Sequence, residues 1–410
     1  MRVTTNMLYD KGIGTIQNLW SNLLHTQQEV STERRVLTPA DDPIAASRAL
    51  DVTQSRSINA QYKTNQDTST DNLRLMENKL MGIGDILQYM RQSAIGAGDA
   101  ILTQDGLNSF ATDMRSQFDS LLSLANTQDV AGNYLFSGYR ADTRPFQGAY
   151  GNVHYEGDQG TRTIQVSSSR YMPVSYPGSD IFDNTRPMSG AVNVYAAKSN
   201  TGGASLSNAE FKMPAATPAN ISGGRFEITF SSTGWDVKEY VPGDASSPRT
   251  LGTATTAGGV PLEFNFTNVD GEAVCFTVDI TGMPANGDSF EVFIASKNVF
   301  DNLAVFIDTL ERPGPSGVIS GISFALDNID HALDTELRVR AQIGSQLNEL
   351  EQLGSINSDM DIQYATTLSR LQDCDLAEAY SRLTKLQTNL EAAQLSFMKL
   401  SGLSLFNFLK

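Results

Sequence analysis

Three histidines, His25, His154 and His331, and two cysteines, Cys275 and Cys374, are the chain's whole stock of imidazole and thiol groups. They are scattered. His25 and His331 fall in helical stretches at opposite ends of the sequence, and His154 falls in a strand region. No His/Cys cluster has the spacing a metal needs, so no metal ligand is expected. Asp373-Cys374-Asp375 offers two carboxylates to acid–base chemistry. On a helix, side chains two apart diverge, so this reads as a solvated face. Asp41-Asp42 could hold a cation, but Asp42 before Pro43 is also a helix N-cap followed by a proline at the first helical position. Gly12-Ile13-Gly14 lacks the third glycine and the preceding strand of a dinucleotide fingerprint, and no phosphate-binding P-loop is present. No catalytic residue, cofactor or enzymatic activity is expected.

The elements that carry these residues point elsewhere. Ser355–Ser401 contains neither glycine nor proline. Within it Leu376, Ala379, Leu383, Leu386, Leu390, Ala393, Phe397 and Leu400 recur at alternating spacings of three and four, a heptad seam made to lie along another helix. Thr15–Thr38 is also free of both breakers, and Ile13, Ile16, Trp20, Leu23 and Val30 share a seam with Gln27 as its polar member. Two terminal seams around a β-rich middle predict a coiled-coil rod bearing a knob, an architecture of assembly subunits. These thirteen seam residues are the expected assembly interface, with Asp42 and Pro43 as the cap and turn.

The 410 residues suffice for two to four domains, and the net charge of −16 argues against binding nucleic acid through bulk charge. Two cysteines on separate elements exclude a disulfide scaffold. No stretch reaches the length of a membrane span, and Met1–Tyr9 lacks the apolar core of a cleaved signal peptide, so no membrane insertion is expected.

In chain order, the first helix is expected over Tyr9–Val36. A second covers Ile44–Met81 and beyond; its early part is polar, and a seam of Leu73, Met76, Leu80, Ile83, Leu87 and Met90 runs beside Gly82 and Gly84. Thr103–Gly106 reads as a turn and Leu107–Leu122 as a third helix. Asn133–Ser137 and Gly148–Val166 read as strands, and Thr201–Ser207 as a linker. Phe226–Phe230, Leu262–Phe266, Val274–Ile280 and Phe290–Ile294 alternate strictly, which predicts strands with one buried and one wet face in a small antiparallel sandwich or barrel. Helices return at Lys297–Arg312 and Ile322–Leu353, with Gly354 before the terminal stretch. The expected fold is α+β multidomain, with long terminal α-helices forming a coiled-coil rod and an inserted antiparallel β domain. The expected divisions are 1–36, an assembly helix paired with 376–410; 37–140, a helical rod completed by 297–375; 141–189, a β hairpin region; and 190–296, an outward β domain.

Glu33-Arg34-Arg35-Val36-Leu37-Thr38-Pro39-Ala40-Asp41-Asp42-Pro43-Ile44-Ala45-Ala46 resembles the N-terminal motif of the flagellin family, with Thr32-Glu33 where that family has Ser-Gly. Asp42-Pro43, Tyr134–Gly138, Pro145-Phe146, Tyr155–Asp158, Gly344–Asn348, Asp373–Ala379 and the ending Ser404-Leu405-Phe406 resemble the family's hook-associated branch. The resemblance implies a structural axial subunit of the bacterial flagellum. It implies export, unfolded, through the flagellar type III apparatus without a cleaved signal peptide. It also implies a ring of copies between the first hook-associated protein and the first flagellin layer, with an export chaperone as an earlier partner. A filament flagellin, and a coiled-coil adhesin or binding module carried by the β domain, are the alternative expectations. The terminal seams are expected to be poorly ordered in the monomer and to order on assembly.

Overall fold

The computed structural model describes residues 5–99, 103–129, 131–183, 192–211, 224–232, 234–244, 248–254, 262–267 and 273–408. The chain forms α1 (Thr5–Thr32), α2 (Pro43–Asp99), α3 (Gln104–Ala125), β1 (Phe146–Ala149), β2 (Asn152–Tyr155), β3 (Thr163–Gln165), β4 (Tyr171–Pro173) and the single turn α4 (Ser179–Phe182). Then follow β5 (Val192–Ala196), β6 (Ser205–Phe211), β7 (Gly224–Ser231), β8 (Gly234–Tyr240), β9 (Arg249–Ala254), β10 (Leu262–Thr267), β11 (Ala273–Thr281) and β12 (Ser289–Ile294). Helices α5 (Val299–Glu311), α6 (Val318–Gln372) and α7 (Leu376–Phe408) close the order. Contacts gather into two compact units, Met1–Thr64 with Gln352–Lys410, and Asn65–Glu351. Helices α2 and α6 contribute to both.

The first unit is all helix. Helix α1 ends at Thr32, short of the expected Val36, and α6 runs unbroken through Gly344 and Gly354. A mid-helix glycine costs about 1 kcal/mol, which tertiary packing overrides. The break falls instead at Asp373–Asp375, where neither glycine nor proline signals it. There Arg34 and Asp373 form an antiparallel bridge, Arg35 N–H donates to the Gln372 carbonyl at 2.7 Å, and Cys374 N–H donates to the Glu33 carbonyl at 2.9 Å. The stretch expected to be one helix is two, and Asp373-Cys374-Asp375 lies between them.

The second unit holds the larger core. Leu73, Met76, Leu80, Ile83, Leu87 and Met90 of α2 are all buried. The same spacing extends backward through buried Ser69 and Gln66, whose side chains donate to the Pro173 and Val166 carbonyls at 3.1 and 2.8 Å. Two polar seam positions thus fasten the β3–β4 hairpin. Thr103 caps α3 by accepting from Gly106 N–H, so the expected turn is the helix start. Asn133–Ser137 is not a strand and makes only isolated bridges. Phe118, Phe146 and Phe182 surround Phe300, with ring centroids 5.3–5.7 Å from it.

Eight described strands, twice the four expected, form an antiparallel five-stranded sheet, β5-β12-β7-β8-β9, and a three-stranded sheet, β10-β11-β6. Edge strand β5 lies beside β6, and β9 beside β10. Phe226, Ile228, Trp235, Val237, Phe264, Phe276, Phe290 and Val292 fill the interior. The side chains of Leu262, Phe266, Val274 and Cys275 lie outside the described residues. Residues 201–207 are not a linker: Asp288 accepts from the Thr201 and Gly202 N–H groups, and Ser205 begins β6. Nor is the polar face of β7 and β12 wet. Arg225, Glu227, Glu291 and Phe293 are all buried on it. Residues of α5, α6 and the turn between them partner Arg225 and Glu291, and the Tyr240 hydroxyl of β8 donates to Glu227.

Candidate assembly interface

Helix α1 packs antiparallel on α7. Tyr9 sets its ring edge-on to Phe397 at 5.6 Å. A side chain at Gly12 would come within 2.8 Å of the same ring. At the other end Arg382 Nη1 lies 3.3 Å from Glu29 Oε2. On α7 the covered stripe is Ala379, Leu383, Leu386, Leu390, Ala393 and Phe397. Leu390 is only 6% exposed, so the seam expected to stay open for neighbours is occupied by a helix of the same chain. Leu376 lies at the surface, and the Leu400 side chain falls outside the described residues.

On α1 the covered stripe is Tyr9, Gly12, Ile16, Leu19, Leu23, Thr26 and Glu29–Val30. Ile16, Leu23 and Val30 belong to it. Ile13 and Trp20 do not; Trp20 is 46% exposed, and with Leu24 they form a second apolar stripe facing outward. Leu395 and Met398 are likewise exposed on α7, as are Ile44, Leu50 and Ile58 on α2 and Ile356 and Ile362 on α6. On α1, Ile13, Trp20 and Leu24 recur at spacings of seven and four and so share one helix face, as a contact stripe does.

Two turns join these helices. Asp41 Oδ2 accepts from the Leu37 and Thr38 N–H groups at 3.0 and 2.7 Å, and Asp41 Oδ1 lies 3.1 Å from His25 Nε2. Asp42 Oδ1 accepts from Ala45 N–H at 2.9 Å, with Pro43 opening α2. Arg35 reaches both Asp42 Oδ2 and the Leu371 carbonyl. Backbone donors, from Thr38 to Asp41 and from Ala45 to Asp42, hold both carboxyls below the usual range, helped by His25 and Arg35 respectively. Both carboxylates are thus engaged by the chain itself. Asp375 Oδ1 accepts from Ala377 and Glu378 N–H and so caps α7. Burial, and then Glu29, push the Cys374 thiol up, away from the thiolate a nucleophile needs. Among the described residues no three His, Cys, Asp or Glu side chains are grouped to hold a metal. What the arrangement offers is the α1–α7 pair with apolar residues exposed on both helices, and further exposed apolar residues on α2 and α6.

Residues 3–141 match the family described as the bacterial flagellin N-terminal helical region. Flagellar hook-associated protein 3 of Salmonella typhimurium is 27% identical over 406 residues, spanning 99% of each chain. The Escherichia coli protein of the same name is 28% identical over 410 residues, spanning 100% of each. The chain carries a flagellin-type N-terminal helical region and is similar over its whole length to hook-associated protein 3. Among solved structures, FlgL of Xanthomonas campestris is 26% identical, with a TM-score of 0.53 over 78% of this chain and 99% of that one. The hook-associated protein 3 of Legionella pneumophila shares the fold at 24% identity and TM-score 0.53, over 78% of this chain and 98% of that one.

The family's motif residues now have physical roles. Glu33 stands where the family has glycine, and its φ of 57° is the left-handed region that glycine adopts without cost. The three hook-associated stretches in the middle of the chain meet in space. Tyr155 Oη lies within hydrogen-bond distance of the Phe136 and Asp158 carbonyls. Asp158 accepts from the Tyr139, Arg140 and Gly160 N–H groups, and Phe146 packs on Tyr155. Sequence reasoning missed Tyr9, Gly12, Leu19, Thr26, Glu29 and Arg382 as interface residues. Gly12 carried a usable signal, since a glycine at seam spacing marks a close helix approach.

Proposed function

We propose that this chain is the structural axial subunit that joins the flagellar hook to the flagellin filament by helical self-assembly. Copies form a ring between the first hook-associated protein and the first flagellin layer. The observation that carries this reading is the end-to-end alignment with two proteins named flagellar hook-associated protein 3. It favours the junction over a filament flagellin or an adhesin. The exposed apolar residues on α1, α2, α6 and α7 supply the physical means, since burying them between copies offsets the cost of ordering a ring. The subunit is a component of the bacterial flagellum, and no helix among the described residues is long and apolar enough to cross a membrane. In this reading it leaves the cell unfolded through the flagellar type III apparatus, with no cleaved signal peptide, and is held beforehand by an export chaperone. Electron micrographs of a deletion strain test the proposal. Hooks without filaments, with flagellin shed into the medium, are expected; normal filaments would refute it.

A further inference from the structure

The second unit contains a charge cluster that the assembly reading does not use. Arg225 on β7 and Glu291 on β12 are 1% and 0% exposed, and Arg225 Nη2 donates to Glu291 Oε1 at 2.7 Å. Arg225 Nη1 donates to the Arg312 carbonyl at the end of α5, also at 2.7 Å, and lies 3.7 Å from Asp308 Oδ2. The guanidinium stacks over Tyr240 of β8 at 4.4 Å. Glu291 Oε2 accepts from Ser316 Oγ and, at 2.8 Å, from Ser320 Oγ at the start of α6. Asp308 pairs with Arg312. Arg312 in turn donates to the Asp244 and Val241 carbonyls, beyond β8, at 3.0 and 2.9 Å. Gly314 passes so close to Glu291 that any side chain there would strike the carboxylate.

The four charges, two of each sign, cancel. The bonds of Arg225 and Glu291 run from the five-stranded sheet on one side to the end of α5, the 313–317 turn and α6 on the other. Asp308 is bonded by Arg312 of its own helix end and faces Arg225 at 3.7 Å. Buried ion clusters contribute little net stability but tolerate few alternative arrangements, because any other pose leaves a charge without its partner. An apolar contact, by contrast, slides. The stacked pair Phe293–Phe324, with centroids 5.0 Å apart, is the apolar part of the same contact.

We infer that the Arg225–Glu291–Asp308–Arg312 cluster is an orientation lock that holds the strand domain in one pose on the α5–α6 turn. The domain is therefore carried rigidly by the helices and is not a tethered appendage. This inference stands apart from the assembly reading.

Spin labels at exposed Ser232, between β7 and β8, and at exposed Ser323 on α6 report that pose, in the full chain with Cys275→Ser and Cys374→Ser. The parent is expected to give one narrow distance distribution. Glu291→Gln and Arg225→Lys are each expected at least to double its width while the near-UV signal of buried Trp235 persists. A broad distribution in the parent would overturn the lock, and so would unchanged narrow distributions in both variants, which would assign the orientation to Phe293 and Phe324. Loss of the Trp235 signal in both variants would overturn it too, since the cluster would then be part of the strand domain's own fold.

Discussion

The two units solve opposite problems with the same kinds of residue. In the unit Asn65–Glu351, aromatic side chains are buried outright: Phe118, Phe146, Phe182 and Phe300 around one centre, and Trp235, Phe264, Phe276 and Phe290 between the sheets. In the unit Met1–Thr64 with Gln352–Lys410, the buried apolar residues among those described are Val36, Ala45, Ala49, Ala379 and Leu390, and three of these are alanines. That unit holds its large apolar residues outside instead; Leu50 is 70% exposed. The lesson is that one unit is complete as a monomer, while the other, in the proposed ring, is half of a core whose remainder other copies supply.

The largest expected effect tests whether the terminal pair has an inside and an outside. Leu390→Asp places a carboxylate between α1 and α7, which costs several kcal/mol. It should lower the helix content and melting temperature of the monomer and abolish filaments. Trp20→Asp, on the outward stripe, should abolish filaments while leaving secretion and monomer melting unchanged. Normal filaments on Trp20→Asp cells would break the comparison. Next, Phe300→Ala should destabilise the larger unit by about 3–5 kcal/mol. Trp20→Ala should shift monomer stability by no more than about 0.5 kcal/mol. Denaturant titration of each purified variant checks both.

A smaller effect depends on pH. Burial raises the Asp183 carboxyl, at the end of α4, to about 7, against a weaker opposing pull from Lys297. The folded state then binds a proton between about pH 4 and pH 7 that the unfolded chain does not. Stability contributed by that proton is present at acid pH and lost as pH rises through 7. Asp183→Asn should therefore melt higher than the parent at pH 8, with the difference vanishing near pH 4. Equal melting at both would refute the assignment. The smallest effect lies on α1. Gly14 faces open space, whereas Gly12 faces Phe397. Gly14→Ala should stabilise the helix by about 0.5–1 kcal/mol, and Gly12→Ala should weaken the pairing with α7. Far-UV circular dichroism melts separate the two.

Much of this was legible in the sequence, and the failures have physical causes. The seam from Ala379 to Phe397 coincides with the covered face of α7 because each member is apolar and the spacing never slips. On α1 the apolar pattern selects Ile13 and Trp20, but the covered face runs one residue away, through Gly12 and Leu19. Beyond Leu23 it continues through Thr26 and Glu29, and hydrophobic periodicity ignores glycine, threonine and glutamate alike. Leu19 was overlooked because Trp20, beside it, is the larger apolar residue. The break at Asp373–Asp375 carries no glycine or proline; its one local mark is the N-cap Asp375, and the rest is made by backbone bonds to Glu33–Arg35, more than 300 residues distant. Strand β8 is obscured by Asp236, Lys238 and Glu239; buried Glu239 lies 3.5 Å from Arg249 of β9. The charges on β7 and β12 read as solvent-facing, and no single-strand pattern could show that α5, α6 and the Tyr240 hydroxyl of β8 would answer them.

The placing of edge strand β5 beside β6 and of β9 beside β10 has a consequence for life in a polymer. Copies in a ring stand at very high local concentration, where an unpaired strand edge would template backbone pairing with the next copy. Here each edge strand of one sheet has an edge strand of the other lying against it, which shields it from that pairing. The domain is in effect insulated cargo: its surface can vary in charge, shape and loop length from one lineage to another without cross-linking the copies that carry it.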